Sequence, residues 1–226
     1  MHGRSAPPAG RDLLDEFTAA LRGWEWDVAL LQEVPPWWPA LLAESLQADA
    51  RLTLTSRNAL LAARRAVAQR WPDFIKSNGG GANAILCRRR TVVEHRTRRL
   101  CVWPERRRLH AVRVGGGGPW IGNLHATVHN TAAALRDGRL AAATVLHWAA
   151  GGPVVLGGDF NVRSSGVPGF TWAGGHDVDH VFAAGVEPVA GSLTVLECGR
   201  LSDHAPVAVS LVAPDAGAVS LVAPDL

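Results

Sequence analysis

Runs of apolar residues and their spacing predict where the helices and strands of this chain begin and end. Between Asp12 and Arg22 apolar residues recur at helical spacing, and Asp12 is a candidate N-cap, so a helix is predicted there. The short apolar run at 27–33 does not alternate with polar residues, which is typical of a strand buried on both faces. Pro35 and Pro36 end this strand.

The same patterns predict further elements along the rest of the chain. Helices are predicted at 37–46 and 132–150, and strands at 83–87, 109–114, 119–125, 153–158, 179–183 and 205–212. Residues 51–76 are ambiguous between helix and strand. Gly115–Gly118 lies between two predicted strands and lacks the spacing of a dinucleotide-binding loop, because residue 120 is Trp. A hairpin turn is therefore predicted there.

The two ends of the chain differ from its middle. Residues 1–11 are rich in Pro, Gly and Ala, and we expect a flexible N-terminus before a single domain at 12–212. In the C-terminal tail, 213–226, the segment Val219–Asp225 repeats Val209–Asp215. Two short copies cannot form a solenoid. We interpret the second copy as a tandem duplication without a role in the fold, and a second paired strand is the alternative.

Composition and charge narrow the class of protein. The chain has 226 residues, of which 47% are hydrophobic and 19% charged, as in ordinary globular proteins. Residues 88–113 contain ten Arg and two Glu, a net charge of +8, so the remaining residues carry −5 of the total +3. This basic segment fits an anionic partner such as nucleic acid or phospholipid headgroups, and fits equally well a solvated pair of strands.

Cysteine usage and hydropathy indicate the compartment. The three Cys are widely spaced without a CxxC motif, which excludes a disulfide framework and a zinc knuckle. The first residues have no apolar signal core, and no apolar stretch is long enough to span a bilayer. We therefore expect a cytoplasmic protein, and the sequence indicates no oligomeric state.

Acidic and amide side chains follow two of the apolar runs, where burial is costly unless they pair or bind metal. Glu33 ends the first predicted strand, and its carboxylate suits a hard cation such as Mg²⁺. Asp159 and Asn161 follow the strand at 153–158, and on an extended backbone they point the same way. Such a pair can hold and orient a water molecule for attack on phosphorus.

Imidazoles supply a second set of candidates. His125 follows a predicted strand and can donate to a phosphate oxygen. The adjacent pair Asp203-His204 offers a metal ligand and a proton carrier. Upstream, Asp179 is a candidate hydrogen-bond partner that would fix the tautomer of His204. His110 and His129 are weaker candidates for the same chemistry.

Six short motifs follow one another in a fixed order. They are Gln32-Glu33, Asn83–Leu86, Asn123-Leu124-His125, Gly158–Asn161, Asp179-His180 and Ser202-Asp203-His204. In order and spacing this set resembles the endonuclease/exonuclease/phosphatase superfamily, which includes deoxyribonuclease I-like and exonuclease III-like nucleases, inositol phosphate phosphatases and sphingomyelinases. The resemblance covers the predicted domain at 12–212.

The resemblance implies a fold and a cofactor. The fold would be of the α/β (α+β) class, a four-layered α/β sandwich in which helices flank two packed, mixed β-sheets. Glu33 would be the principal ligand of Mg²⁺ or Mn²⁺, assisted by Asp203. Family members usually begin with an Asn-bearing strand, and none precedes Asp12. Either the true start lies upstream, or the first strand is missing and a position in a sheet is vacant.

The resemblance also implies catalytic roles. Asp159 and Asn161 would position the attacking water and the phosphate. His204, supported by Asp179, would act as a general base or stabilise the transition state. His125 would make a second electrostatic contact, and the metal would neutralise charge on the phosphoryl oxygens.

Three functions compete on these grounds. The first is a divalent-metal-dependent phosphoesterase that hydrolyses a phosphodiester or phosphomonoester, such as a nuclease. The second is a truncated or degenerate family member without activity. The third is a nucleic-acid-binding module that uses residues 88–113 and shows salt-dependent DNA binding without turnover. DNA, RNA, inositol phosphates and lipids all remain open as substrates, because specificity resides in loops.

Overall fold

The computed structural model describes residues 12–55, 61–70, 81–103, 105–115, 117–199, 201–202, 204–213 and 217–223. The helices are α1 (Leu14–Gly23), α2 (Trp38–Leu46), α3 (Leu61–Arg70) and α4 (Thr131–Ala149). The strands are β1 (Val28–Val34), β2 (Asp49–Leu54), β3 (Ala82–Cys87), β4 (Val92–Cys101), β5 (Arg107–Val114), β6 (Trp120–His125), β7 (Val154–Asp159), β8 (Thr171–His176), β9 (Asp179–Ala184), β10 (Glu187–Pro188), β11 (Thr194–Val195), β12 (Val207–Ala213) and β13 (Gly217–Ala223).

These strands form two mixed sheets. Sheet one has the order β10-β12-β13-β1-β3-β2, and β11 also pairs with β12. Sheet two has the order β4-β5-β6-β7-β9-β8. The parallel pairs are β1 with β13 and β6 with β7, and the other neighbours are antiparallel.

Three apolar clusters separate four layers. The central cluster joins the facing sides of the two sheets, for example through Leu30 of sheet one and Val155 of sheet two. A second cluster packs α4 on the outer face of sheet two, and a third packs α1 and α2 on the outer face of sheet one. The predicted four-layered α/β sandwich is confirmed.

The apolar runs predicted the central strands because these strands are covered on both faces. Every residue of β3, β6 and β7 is buried, and so is all of β1 except Glu33. The edge strand β4 is largely exposed and has no such run. The strands that flank Gly115–Gly118, β5 and β6, pair antiparallel as the predicted hairpin requires, and Gly116 itself lies outside the described residues. None of the described helices is long and apolar enough to cross a membrane.

The second copy of the C-terminal repeat is a strand, so our interpretation of it as a segment without a role in the fold is wrong. It forms β13, which pairs along its length with the first copy in β12 and lies beside β1. Leu221 of β13 is fully buried in the central cluster. A missing first strand, one of the two alternatives for the start of the domain, would leave a vacant position in a sheet. Beside β1 the described part of the sheet has none, because β1 has β3 on one side and β13 on the other.

Candidate active site

Four of the predicted site residues lie at one end of the two sheets. The parallel strands β6 and β7 end together, so His125 and Asp159 are register partners. The antiparallel strand β9 begins at the same level, and Asp159 pairs with Asp179. Glu33 approaches from sheet one, near the end of β1. The ends of four strands therefore carry these side chains into one region.

The imidazole of His125 lies between two carboxylates. Its Nε2 is 3.4 Å from Oδ2 of Asp159, and its Nδ1 is 3.9 Å from Oε1 of Glu33. His125 and Asp159 are buried, whereas the Glu33 side chain keeps 12% exposure. A buried carboxylate is costly without a donor or a cation nearby. When protonated, the His125 ring would supply such a cation between the two sheets.

Asn161 holds Asp159 through a tight turn. Its backbone N–H donates to Oδ1 of Asp159 at 2.6 Å, and its Nδ2 donates to Oδ2 at 3.1 Å and to the carbonyl of Ala126 at 3.1 Å. We predicted this juxtaposition from an extended backbone, and that reason is wrong. β7 ends at Asp159, and Asn161 has a φ of 52°, so a left-handed turn folds the amide back onto the carboxylate.

Glycine is required where β7 approaches β6 beside the site. Gly158 has a φ of 128°, and a Cβ there would lie 2.0 Å from the carbonyl oxygen of Leu124. At Gly157 a Cβ would lie 2.7 Å from Cδ1 of Leu30 in the facing sheet. Any side chain at Gly158 would displace the backbone that carries Asp159.

His204 forms a second pair with Asp179. Nδ1 of His204 is 3.1 Å from Oδ2 of Asp179, and the backbone N–H of His204 donates to Oγ of Ser202 at 3.1 Å. Asp179 is buried, and the ring of His204 is partly exposed. The predicted contact between the two residues is present. Asp203, the other residue predicted in this motif, lies outside the described residues.

Sequence reasoning gave no role to Asn123, which joins the two sheets beneath the site. Its Nδ2 donates to the carbonyls of Leu31 at 3.0 Å and Ala84 at 2.9 Å, and its Oδ1 accepts from Nε2 of Gln32 at 2.7 Å. All these groups are buried. Asn123 precedes His125 by two residues and therefore shares its face of β6. This two-residue spacing was the feature of the sequence that could have indicated a role for Asn123 near the site.

Of three other histidines in the described chain, two have structural environments and one is exposed. Burial lowers the pKa of His110 to about 3, and its Nδ1 is 3.3 Å from Nε2 of His95. Burial also lowers the pKa of His180, whose Nδ1 accepts from Nε1 of Trp172 at 3.3 Å and whose Nε2 is 2.8 Å from the carbonyl of Val162. His129 is exposed. The first two are neutral core groups.

The donor atoms of the site fit a hard divalent cation. In the described part of the chain, no three Asp, Glu, His or Cys side chains converge into a preformed metal cage. Mg²⁺ needs none, because it is usually held by one or two carboxylates and keeps several waters. Glu33 is a partly exposed carboxylate, which is the kind of group that holds Mg²⁺ in this way.

The family follows from a sequence comparison. The model of the Endonuclease/Exonuclease/phosphatase family matches residues 2–204. The chain belongs to this family. No curated protein matches its sequence. The two sheets bring six of the residues that we selected by motif to a common end: Glu33, His125, Asp159, Asn161, Asp179 and His204.

Solved structures of this family share the fold. An endonuclease/exonuclease/phosphatase from Beutenbergia cavernae is 21% identical with a TM-score of 0.63, and the match covers 95% of this chain and 76% of that one. A mannosyl-6-phosphatase from Bacteroides thetaiotaomicron is 17% identical with a TM-score of 0.63, covering 88% and 90%. A humanized TDP2 from D. rerio is 17% identical with a TM-score of 0.65, covering 91% and 96%.

Proposed function

We propose that this family member is a divalent-metal-dependent phosphoesterase that hydrolyses a phosphodiester or phosphomonoester. The observation that carries the proposal is the meeting of two supported pairs, Asp159 with Asn161 and His204 with Asp179, on neighbouring strands. Each pair fixes the orientation of a group that can exchange or direct a proton. Family membership supports the same activity.

Asp159 and Asn161 would prepare the attacking water. Asn161 uses both amide hydrogens on Asp159 and Ala126, so its Oδ1 is left to accept a hydrogen bond. Asp159 is buried, and both of its carboxylate oxygens accept hydrogen bonds from Asn161. The carboxylate can accept a proton from water. The water oxygen would bond to phosphorus while the ester P–O bond breaks, and the leaving oxygen would take up a proton.

His204 would contact the phosphate through Nε2. Asp179 accepts a hydrogen bond from Nδ1–H, which leaves Nε2 directed away from that carboxylate. A protonated ring can donate to a phosphoryl oxygen, and a neutral ring can accept a proton. A Mg²⁺ or Mn²⁺ ion bound by Glu33, with Asp203 as its proposed second ligand, would neutralise charge that develops on the phosphoryl oxygens.

The substrate is open between several phosphate esters. The structural neighbours include a mannosyl-6-phosphatase and TDP2 proteins, which differ from one another. A nuclease is one form of the proposed activity. The alternative is a degenerate family member without turnover that acts as a nucleic-acid-binding module. Turnover itself decides between the two.

A cytoplasmic location is part of the proposal. Cys87, Cys101 and Cys198 are free thiols in the structure, which is usual in a reducing compartment. Burial raises the pKa of the Cys87 thiol to about 12, so it is inert towards oxidants. Cell fractionation would test the location.

The test is turnover of bis-p-nitrophenyl phosphate, p-nitrophenyl phosphate and plasmid DNA with Mg²⁺, with Mn²⁺ and with EDTA. We expect turnover that requires the metal and falls by at least about 100-fold in Asp159→Asn. Asp15→Asn, an exposed carboxylate on α1, is the matched control and should retain full activity. No turnover by a folded protein, or equal turnover by Asp159→Asn, would overturn the proposal.

A further inference from the structure

Strand β1 contains one residue more than its neighbour β3 can match. Residues 31–34 of β1 pair with residues 82–84 of β3, so three steps along one strand correspond to two along the other. Gln32 and Glu33 therefore stand together opposite Asn83, which is a β-bulge. Glu33 has a φ of 52°, a left-handed conformation that is uncommon for a residue with a Cβ. Such a conformation persists only where the surroundings hold it.

The bulge decides which way the Glu33 side chain points. Alternate residues of a strand face opposite sides of the sheet, and Ala29 and Leu31 pack in the apolar cluster on the outer face of sheet one. Regular alternation would send residue 33 to that same face. Val34 packs in the outer cluster instead, and Oε1 of Glu33 lies 3.9 Å from Nδ1 of His125 in sheet two. The extra residue thus brings the proposed metal ligand to the site.

The side chain of Asn83 contacts the bulge from the neighbouring strand. Its Oδ1 accepts a hydrogen bond from the backbone N–H of Glu33 at 3.4 Å. Ala82 and Ala84, on either side of Asn83 in β3, pack in the outer cluster, so alternation places the Asn83 side chain on the face that meets sheet two. Asn83 is buried, which shields this hydrogen bond from competition by water.

Packing alone does not account for an amide at this position. The other residues of β3 are Ala, Ile, Leu and Cys. Nδ2 of Asn83 is buried and has no hydrogen-bond partner among the described residues, and an unpaired buried donor costs stability. An apolar side chain of similar size would avoid that cost. What Asn83 supplies and an apolar residue cannot is an acceptor for the N–H of Glu33.

We propose that Asn83 is a positioning residue that holds Glu33 in its left-handed conformation and thereby sets the affinity of the metal site. The inference rests on the proposed phosphoesterase function, in which Glu33 binds Mg²⁺ or Mn²⁺. Asn83 acts on the backbone of Glu33 and needs no contact with metal or substrate. When this hydrogen bond is lost, the backbone of Glu33 can leave its positive φ, and the carboxylate moves away from His125. Metal affinity then falls, because groups that orient a metal ligand contribute strongly to binding.

The first experiment measures metal binding without substrate. The protein is titrated with Mn²⁺, and free Mn²⁺ is followed by its electron paramagnetic resonance signal. At the site that Glu33→Gln weakens, Asn83→Ala should raise the dissociation constant by about 10- to 100-fold. Thr53→Ala is the matched control, because Thr53 is the buried register partner of Asn83 in β2, and it should keep the wild-type constant. A folded Asn83→Ala that binds Mn²⁺ like the wild type, or an equal loss in Thr53→Ala, would refute the proposal.

A double variant separates positioning of Glu33 from a general loosening of the site. If Asn83 acts through Glu33, then Glu33→Gln/Asn83→Ala should bind Mn²⁺ no more weakly than Glu33→Gln alone. Losses that multiply would show that Asn83 acts independently of Glu33, against the proposal. Asn83→Ser covers the case in which Asn83→Ala does not fold. Its hydroxyl keeps a polar group in the buried position but ends one bond short of the Glu33 N–H, so the same rise in the dissociation constant is expected.

Kinetics distinguish failure of this inference from failure of the proposed function. Asn83→Ala should raise the Mg²⁺ concentration that gives half-maximal hydrolysis of bis-p-nitrophenyl phosphate. At saturating Mg²⁺ it should retain most of the wild-type kcat, because Asn83 touches neither metal nor substrate. Metal-dependent turnover by the wild type, with an unchanged Mg²⁺ requirement in Asn83→Ala, would reject the inference and leave the phosphoesterase standing. A wild type that binds no Mn²⁺ and hydrolyses no substrate would reject the function, and the inference with it.

Discussion

Oδ2 of Asp179 lies 3.1 Å from Nδ1 of His204, although the two residues are 25 positions apart in the chain. Asp179 is the first residue of β9, and His204 precedes β12, so the contact joins sheet two to sheet one. A buried carboxylate that accepts from Nδ1 fixes the ring tautomer and favours the protonated imidazole. His204 therefore differs from the neutral, buried His110, whose ring faces another imidazole, His95, and not a carboxylate.

Replacing Asp179 with Asn should lower kcat by about 10- to 100-fold, because the ring loses both its orientation and its charge partner. The limb of the pH profile that reports His204 should move to lower pH, since the carboxylate favours the protonated ring. Initial rates between pH 5 and 9 measure both effects. Asp177→Asn, which removes a nearby exposed carboxylate, is the control. An unchanged rate together with an unchanged profile would contradict the assignment.

The assignment of Glu33 as a metal ligand predicts that its replacement changes the Mg²⁺ concentration that activity requires. Glu33→Gln should raise the Mg²⁺ concentration that gives half-maximal activity by at least about tenfold, because an amide is a weaker ligand than a carboxylate. Titration of MgCl₂ against rate measures this shift. Glu44→Gln, an exposed residue of α2, should leave the titration unchanged. The same half-maximal concentration in Glu33→Gln would remove Glu33 from the metal site.

Some of this site could be predicted from the sequence and some could not, for identifiable reasons. Asp159 follows a strand buried on both faces, and such strands show as continuous apolar runs, so its location was predicted. The turn by which Asn161 reaches Asp159 could not be predicted, because a single residue in the left-handed conformation leaves no periodic pattern in the sequence. Asn123 bonds to residues 91 and 92 positions away, which only the packing of two sheets reveals.

The repeat at the C-terminus shows a similar limit. β12 and β13 have the same apolar pattern, so local sequence predicts the same structure for both copies. Whether the second copy enters a sheet depends on a free edge beside β1, which is a property of the assembled fold. Pattern alone therefore left both interpretations of the tail open.

Asn123 should be a determinant of stability as well as of the site. Asn123→Ala removes the amide that donates to two buried carbonyls and removes one of the two acceptors of Gln32 Nε2, at a cost of about 1–3 kcal/mol in the free energy of unfolding. Urea unfolding at pH 7 measures the loss. Asn130→Ala, which removes the N-cap of α4, should cost about 1 kcal/mol and is the control for a lost amide. A smaller loss at Asn123 than at Asn130 would contradict its bridging role.

The buried His110 predicts a loss of stability in acid. Its pKa is about 3 in the folded chain and about 6.5 when exposed, so the unfolded state binds more protons between these values. Its contribution is complete above pH 6.5 and is lost as the pH falls towards 3, with a slope of at most about 1.4 kcal/mol per pH unit. His110→Asn should flatten the fall in unfolding free energy between pH 6.5 and 4.5, whereas His147→Asn, at an exposed position of α4, should not. The same slope in His110→Asn and wild type would contradict the assignment.

The repeated segment allows the role of β13 to be tested with a matched pair of substitutions. Leu211 and Leu221 occupy equivalent positions in the two copies, and both are buried in the central cluster. Leu221→Ala and Leu211→Ala should each lower the free energy of unfolding by about 2–5 kcal/mol, because each leaves a cavity between the sheets. Val212→Ala, at a partly exposed position, should cost much less. If Leu211→Ala destabilises the protein and Leu221→Ala does not, the second copy is outside the core, and β1 lacks the neighbour that β13 provides.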